Sequence, residues 1–285
     1  MIRKLALLGS AALACAVPAA AHNAWLLPST TVLSDTGQSV TVDAGASTAP
    51  FEADHAALPA ENVKVWAPDG TMGAVENAAR LRYRSTFDVR IDKPGTWRIG
   101  METAGISGSF KVDGEDWTLG RRRGPPPAPG AMPSPAPARS IASIDELPAG
   151  ATDLDLTETS GRNEFFVTAG APDDALFAPA GKGLEFVPET RPTDLVAGEP
   201  ARFRFLIDGQ PAAGLAVEVI PGGRRYRSDS AAQSLTTDAE GRITIEWPGA
   251  GFYWLNAVAS DDKPQNPKAA KRRMTYTATL EVLAP

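Results

Sequence analysis

Cysteine is almost missing from this sequence. Cys15 is the only one in 285 residues, and it falls inside a segment that reads as a removable leader. The chain that remains has no thiol, which excludes a disulfide framework, a thiolate nucleophile and a cysteine metal site. Histidine is nearly as scarce, with only His22 and His55. No Ser/His/Asp arrangement with a nucleophile elbow, no phosphate-binding glycine loop and no dinucleotide fingerprint can be picked out. Positive charge is also in deficit: 28 Lys and Arg stand against 34 Asp and Glu, a net of −6. Without Arg3 and Lys4 the balance is 26 − 34 = −8, which disfavours nucleic acid or an anionic membrane face as partner. Long apolar runs are missing too. The longest, Leu5 to Val17, has 13 residues, whereas a bilayer span needs about 20, so no direct membrane insertion is expected.

What the first 21 residues do contain is the order of an export signal. Arg3 and Lys4 precede the apolar run, and Ala19-Ala20-Ala21 presents the small-x-small pattern of a cleavage site. Cleavage there places the chain in the periplasm and makes His22 its first residue. A lipid anchor on Cys15 is disfavoured, because Leu13 stands one place away from where a lipobox needs it.

Glycine (26) and proline (25) are abundant and scattered, which interrupts helices and favours many short strands. Period-two patterning is plain. Leu81, Tyr83, Ser85, Phe87, Val89 and Ile91 alternate with Arg82, Arg84, Thr86, Asp88 and Arg90, as a half-buried strand requires. Ala201–Ile207 and Tyr276–Val282 alternate in the same way. Pro94-Gly95 before Trp97 and Pro248-Gly249 before Phe252, Tyr253 and Trp254 mark equivalent turns in the two halves. Asp208-Gly209 and Asp238-Ala239-Glu240-Gly241 read as hairpin turns. The expected fold is all-β: two tandem immunoglobulin-like or transthyretin-like β-sandwich domains following a signal peptide. The first sandwich is assigned to 22–120 and the second to 183–285. Seven of the fifteen residues 124–138 are proline, so 121–140 is read as an Arg/Pro-rich linker or loop. Residues 141–182 form an interdomain segment with one or two strands. Trp25, Trp66, Trp97, Trp247, Tyr253 and Trp254 are expected in the core or at its rim.

The chemistry rests on the two histidines. With cleavage after Ala21, the α-amine and imidazole of His22 form one chelating unit. A free α-amine has a pKa of about 7.7–8, low enough for a metal to displace its proton at neutral pH. Amine and imidazole nitrogens suit Cu(II), Ni(II) and Co(II). His55 would add a second imidazole, and Glu52 and Asp54 could supply an oxygen ligand or orient the ring. The expected metal set is therefore His22, His55, Asp54 and Glu52, with no organic cofactor. His22 and His55 are 33 positions apart, so only the fold can join them.

Five groups of residues carry a resemblance. The stretches Ala21-His22-Asn23-Ala24-Trp25-Leu26-Leu27-Pro28-Ser29, Tyr83–Asp88, Phe166–Pro172 and Gly181–Pro188 form four. Leu235–Asp238, leading to Trp247-Pro248 and Tyr253-Trp254-Leu255, forms the fifth. The chain resembles the bacterial periplasmic domain-of-unknown-function family classed as the periplasmic component of a cobalt/nickel transport system. That resemblance implies a non-catalytic accessory protein binding Ni(II) or Co(II), with Cu(II) as a further metal, for uptake through an outer-membrane receptor or metal transporter. Two rivals stand beside this reading: a copper histidine-brace oxidase, which the same three nitrogens would serve, and a metal-free envelope interaction module.

Overall fold

The computed structural model describes residues 22–120 and 139–285. The leader reading of 1–21 and the proline-rich stretch 121–138 lie outside them. Among the described residues there is no α-helix, only strands and four short 3-10 turns. Strand formation follows the alternation read from the sequence. Ala201–Ile207 buries Ala201, Phe203 and Phe205, while Arg202 and Arg204 face outward. Lys271–Leu283 buries Met274, Tyr276, Ala278, Leu280 and Val282.

Three sheets build an all-β sandwich architecture. A five-stranded sheet orders Asn23–Pro28, Gln38–Ser47, Ser85–Ile91 and Val75–Arg80, with the short piece Ala56–Ala57 also on Gln38–Ser47. A four-stranded sheet holds Leu184–Pro188, Ala201–Ile207, Gln210–Pro211 and Arg242–Ile245. Between them runs one eleven-stranded sheet. Its centre is Gly95–Val112, Thr152–Ala169, Lys271–Leu283 and Gly251–Asp261, in that order.

The strand Thr152–Ala169 shows how two cores share this sheet. Successive side chains of a strand point to opposite faces. Phe165, Val167 and Ala169 pack with Val40, Val42, Phe87, Val89, Trp97 and Ile99 in the first core. Phe166 enters the second core with Phe203, Phe205, Ile245, Leu255 and Tyr276. The two smaller sheets thus cover opposite faces of the long one. The halves are stitched by parallel pairing of Thr157–Glu164 with Lys271–Ala278. The segment 141–182 contributes to both cores for this reason: one strand with two apolar faces serves both.

Two local expectations are corrected. The strand read from Leu81 begins at Ser85. Leu81 N–H donates to the Arg84 carbonyl at 2.9 Å, so 81–84 is a turn, and Leu81 and Tyr83 are exposed. The turn Asp238–Gly241 is not a hairpin within one sheet. The strand before it, Gln233–Thr236, pairs in the long sheet, and Arg242–Ile245 after it pairs in the small one. Asp208-Gly209 does close a two-residue hairpin, with both φ angles positive (51° and 75°) and Ile207 facing Gln210, as that loop length demands.

Candidate functional site

Two antiparallel ladders bring the histidines together. The strand Gln38–Ser47 pairs on one side with Asn23–Pro28, Asn23 facing Ser47. On its other side, Ala46 faces Ala56. His22 and His55, each one residue outside its strand, therefore flank the same strand end. Their flanking backbones are about 9.6 Å apart, twice the usual strand spacing, a gap that two imidazoles can close. The rings stack with centroids 3.4 Å apart and planes within 10°. His22 is exposed and His55 half-buried.

The neighbouring carboxylates serve other partners. Asp54 Oδ1 accepts the Thr48 amide at 3.1 Å, and Asn23 Nδ2 donates to the Thr48 carbonyl at 3.1 Å. These two bonds tie the 48–54 loop to the first strand. Glu52 points to the second sandwich, where its Oε1 accepts the Arg225 amide at 2.9 Å and lies 3.7 Å from Arg225 Nε. Of the four expected ligands, the structure joins His22 with His55 and turns Glu52 away. Among the described residues, no group of three or more His, Cys, Asp or Glu has metal-holding geometry. The remaining donor of the expected set, the His22 α-amine, is not a side chain.

Aromatic packing that the sequence patterns did not reveal positions this loop. Trp25 meets Ile220 and Trp254 of the second sandwich, with Leu27, Phe51 and Ala53 packed around them. Trp254 Nε1 donates to the Ala24 carbonyl at 2.9 Å. Phe51 adopts φ 67°, a left-handed conformation costly for a bulky residue. Its ring is held edge-on to Trp25 at 6.0 Å and to Phe252 at 6.5 Å. Close approach also sets two glycines. A Cβ on Gly45 would stand 2.6 Å from the Trp25 ring, and one on Gly222 3.0 Å from Phe51. The only signal in the sequence was the pair Trp25 and Trp254, each on a strand whose opposite face is core.

Two exposed or half-exposed imidazoles in contact, one at the start of the first strand and one beside a loop fixed by both halves of the chain, define a β-sandwich protein with a candidate nitrogen-donor site at its first strand. Residues 19–261 match the family model described as a domain of unknown function (DUF4198), and the chain belongs to that family. No curated protein matches it. Solved structures similar to it include the D0-D1 domain of intimin, at 11% identity over 90% of this chain and 97% of that one, TM-score 0.20. An Escherichia coli alpha-2-macroglobulin is similar at 13% identity over 92% of this chain and 20% of that one, TM-score 0.23. A DUF4785 family protein from Legionella pneumophila is similar at 8% identity over 81% and 50%, TM-score 0.24.

Proposed function

We propose that the protein is a periplasmic, non-catalytic accessory protein that binds a divalent transition metal, Ni(II) or Co(II) with Cu(II) as a further metal, and serves its uptake. The observation that carries this is the contact of the only two imidazoles in the chain, 3.4 Å between ring centroids, at the residue where the export signal would be cut. Imidazole nitrogen is a favoured ligand of these metals. Ring lone pairs lie in the ring plane, so face-stacked rings do not yet aim at one point. Binding asks one ring to turn, and the exposed His22 has the room. The two imidazoles and the freed α-amine would hold the metal. Glu52, engaged by Arg225, would act only by fixing the loop.

The test is calorimetric titration of Ni(II), Co(II) and Cu(II) into protein beginning at His22 and into protein with one alanine added before it. Loss of the free α-amine should weaken binding by at least tenfold without altering the circular dichroism spectrum. His55→Ala should weaken it less, because the amine–imidazole chelate survives. Affinity should fall as pH drops, since protons compete for the same nitrogens. Equal affinity in the two forms would remove the His22 amine from the site.

A further inference from the structure

The surroundings of the histidine pair carry the wrong charge for a free cation. Three segments border the Trp25–Phe51 packing that holds the pair. They are the stretch Asp43–His55 itself, the hairpin turn 80–84 and the loop 222–227. The hairpin belongs because the Tyr83 carbonyl lies 3.1 Å from where a Gly45 Cβ would be, beside the Trp25 ring. The loop belongs because Gly222 abuts Phe51 and Arg225 binds Glu52. These segments contain six arginines (Arg80, Arg82, Arg84, Arg224, Arg225, Arg227) and three carboxylates (Asp43, Glu52, Asp54), 6 − 3 = +3, in a chain of net −6.

Only two of the six are paired with carboxylates among the described residues: Arg84 with Asp43 at 3.5 Å and Arg225 with Glu52. Arg224 and Arg227 donate to backbone carbonyls of their own loop, which leaves their charge uncompensated. Arg80 and Arg82 are exposed, and Arg82 lies over the Tyr83 ring at 5.3 Å. A net positive charge on the segments that border the pair disfavours a dication there. The same charge favours an anion. Every cation in the rim is arginine, whose planar fork matches carboxylate oxygens two at a time. A cavity of about 560 Å³ opens beside the loop, walled by Phe51, Phe252, Tyr253 and Arg227, which is the size of a small organic ligand site.

We infer that the metal comes to the histidine pair as an anionic polycarboxylate chelate, with the arginine rim gripping the carboxylates while the imidazoles take the metal. This rests on the metal-binding reading above and names its substrate class. A small chelate suits the arrangement better than an acidic protein segment, because the arginines come from two separate segments, 80–84 and 222–227, instead of lining one continuous track.

The experiment uses protein beginning at His22, the Arg80→Glu/Arg82→Glu variant, and Arg225→Gln, titrated with NiCl2, with the 1:1 Ni(II)–citrate complex, and with citrate alone. The wild type should bind the citrate complex more tightly than either component. The double variant should bind the complex at least fivefold more weakly and free Ni(II) at least threefold more tightly. Arg225→Gln should move both in the same directions by smaller factors. Opposite shifts for the two forms of the metal do not arise from misfolding. Shifts in the same direction, or no preference for the complex, would overturn the inference while leaving the metal reading intact. If neither form of nickel binds but citrate alone does, lost in the double variant, the metal reading fails and the rim remains a carboxylate site. Binding of polyglutamate without binding of citrate would overturn the inference in favour of an acidic protein partner.

Discussion

Two polar clusters, one in each half of the chain, differ in how completely their groups are satisfied. At Arg272 everything closes. Its side chain is 5% exposed and is held by two carboxylates, Asp261 at 2.7 and 2.8 Å and Asp208 through both terminal nitrogens. Asp208 stands in the tight 207–210 hairpin, so the pair locks the small sheet of the second sandwich to the long one. At the histidine end less closes. The rings touch, with His22 exposed and His55 half-buried, and of the six arginines of the neighbouring segments only Arg84 and Arg225 have a carboxylate partner among the described residues. A closed cluster holds the fold and has no capacity left for a ligand, whereas an open one costs little stability and keeps its donors free. A third cluster falls between. Glu164 is buried, with the Tyr276 hydroxyl at 2.9 Å and Arg98 Nη1 at 3.9 Å. Arg98 in turn stacks on Trp66 at 3.8 Å, with its Nε buried and lacking a partner among the described residues.

The comparison breaks first at Arg272, where the largest stability effect is expected. Arg272→Met leaves two carboxylates facing each other and should cost about 3 kcal/mol, at the low end for a broken buried pair because Asp208 is 41% exposed. Urea denaturation at pH 7 measures it; a loss under 1 kcal/mol would mean the cluster is no staple. The Arg272 guanidinium lowers the carboxyl pKa of both Asp208 and Asp261. Their contribution is therefore present above the ordinary Asp value of about 3.9 and is lost as pH falls below it.

Glu164 sharpens the comparison from the other side. Burial pushes its carboxyl pKa up, more than Arg98 and Tyr276 pull it down. The folded state thus prefers the protonated form. The charge costs stability as pH rises above the ordinary Glu value of about 4.3. Glu164→Gln keeps the shape and an acceptor for Tyr276, and should stabilise the protein by about 1–2 kcal/mol at pH 7. That gain should vanish near pH 4, the reverse of the Arg272 trend. A gain that does not depend on pH would mean that the Glu164 carboxyl has the same pKa in the folded and the unfolded chain.

Much of the second sandwich was legible because its strands alternate cleanly, as in Ala201–Ile207 with its outward arginines. The shared sheet was not, because Thr152–Ala169 buries both faces at Glu164–Ala169, and a strand apolar on both sides loses the period that identifies its partner sheet. The Leu81–Ile91 alternation misled, since turn residues can keep the period without the burial. For the site, the residue types pointed to His22 and His55. The loop that leads to His55 and the strand that His22 precedes are set by long-range aromatic contact, which no local pattern encodes. Trp254→Phe tests that contact. It removes the hydrogen bond to the Ala24 carbonyl while keeping most of the packing, and should cost about 1 kcal/mol. Hydrogen exchange should show the strand Asn23–Pro28 loosened before the rest of the sheet. Uniform protection across that sheet would mean the loop is held without the second sandwich.

The smallest stability effect belongs to the histidines themselves, and there the contrast between closed and open clusters is sharpest. His22→Ala and His55→Ala remove rings that touch each other and solvent. No side-chain hydrogen bond ties either ring to the rest of the described residues, and no buried charge is left behind. Substitutions of this kind stay within about 0.5 kcal/mol, and a stacked ring pair adds roughly another 0.5 at most when so exposed. The double variant should therefore unfold within about 1 kcal/mol of wild type in urea, while Ni(II) binding, measured on the same samples by calorimetry, falls below detection. Two other outcomes are informative. A loss of 2 kcal/mol or more would make the stack a structural clasp like Arg272, and its contact would then need no ligand to explain it. Unchanged stability with unchanged Ni(II) affinity would move the metal, if it binds, to another part of the molecule. Only small destabilisation with lost binding fits a site whose donors are held ready by the loop beneath them and not by each other.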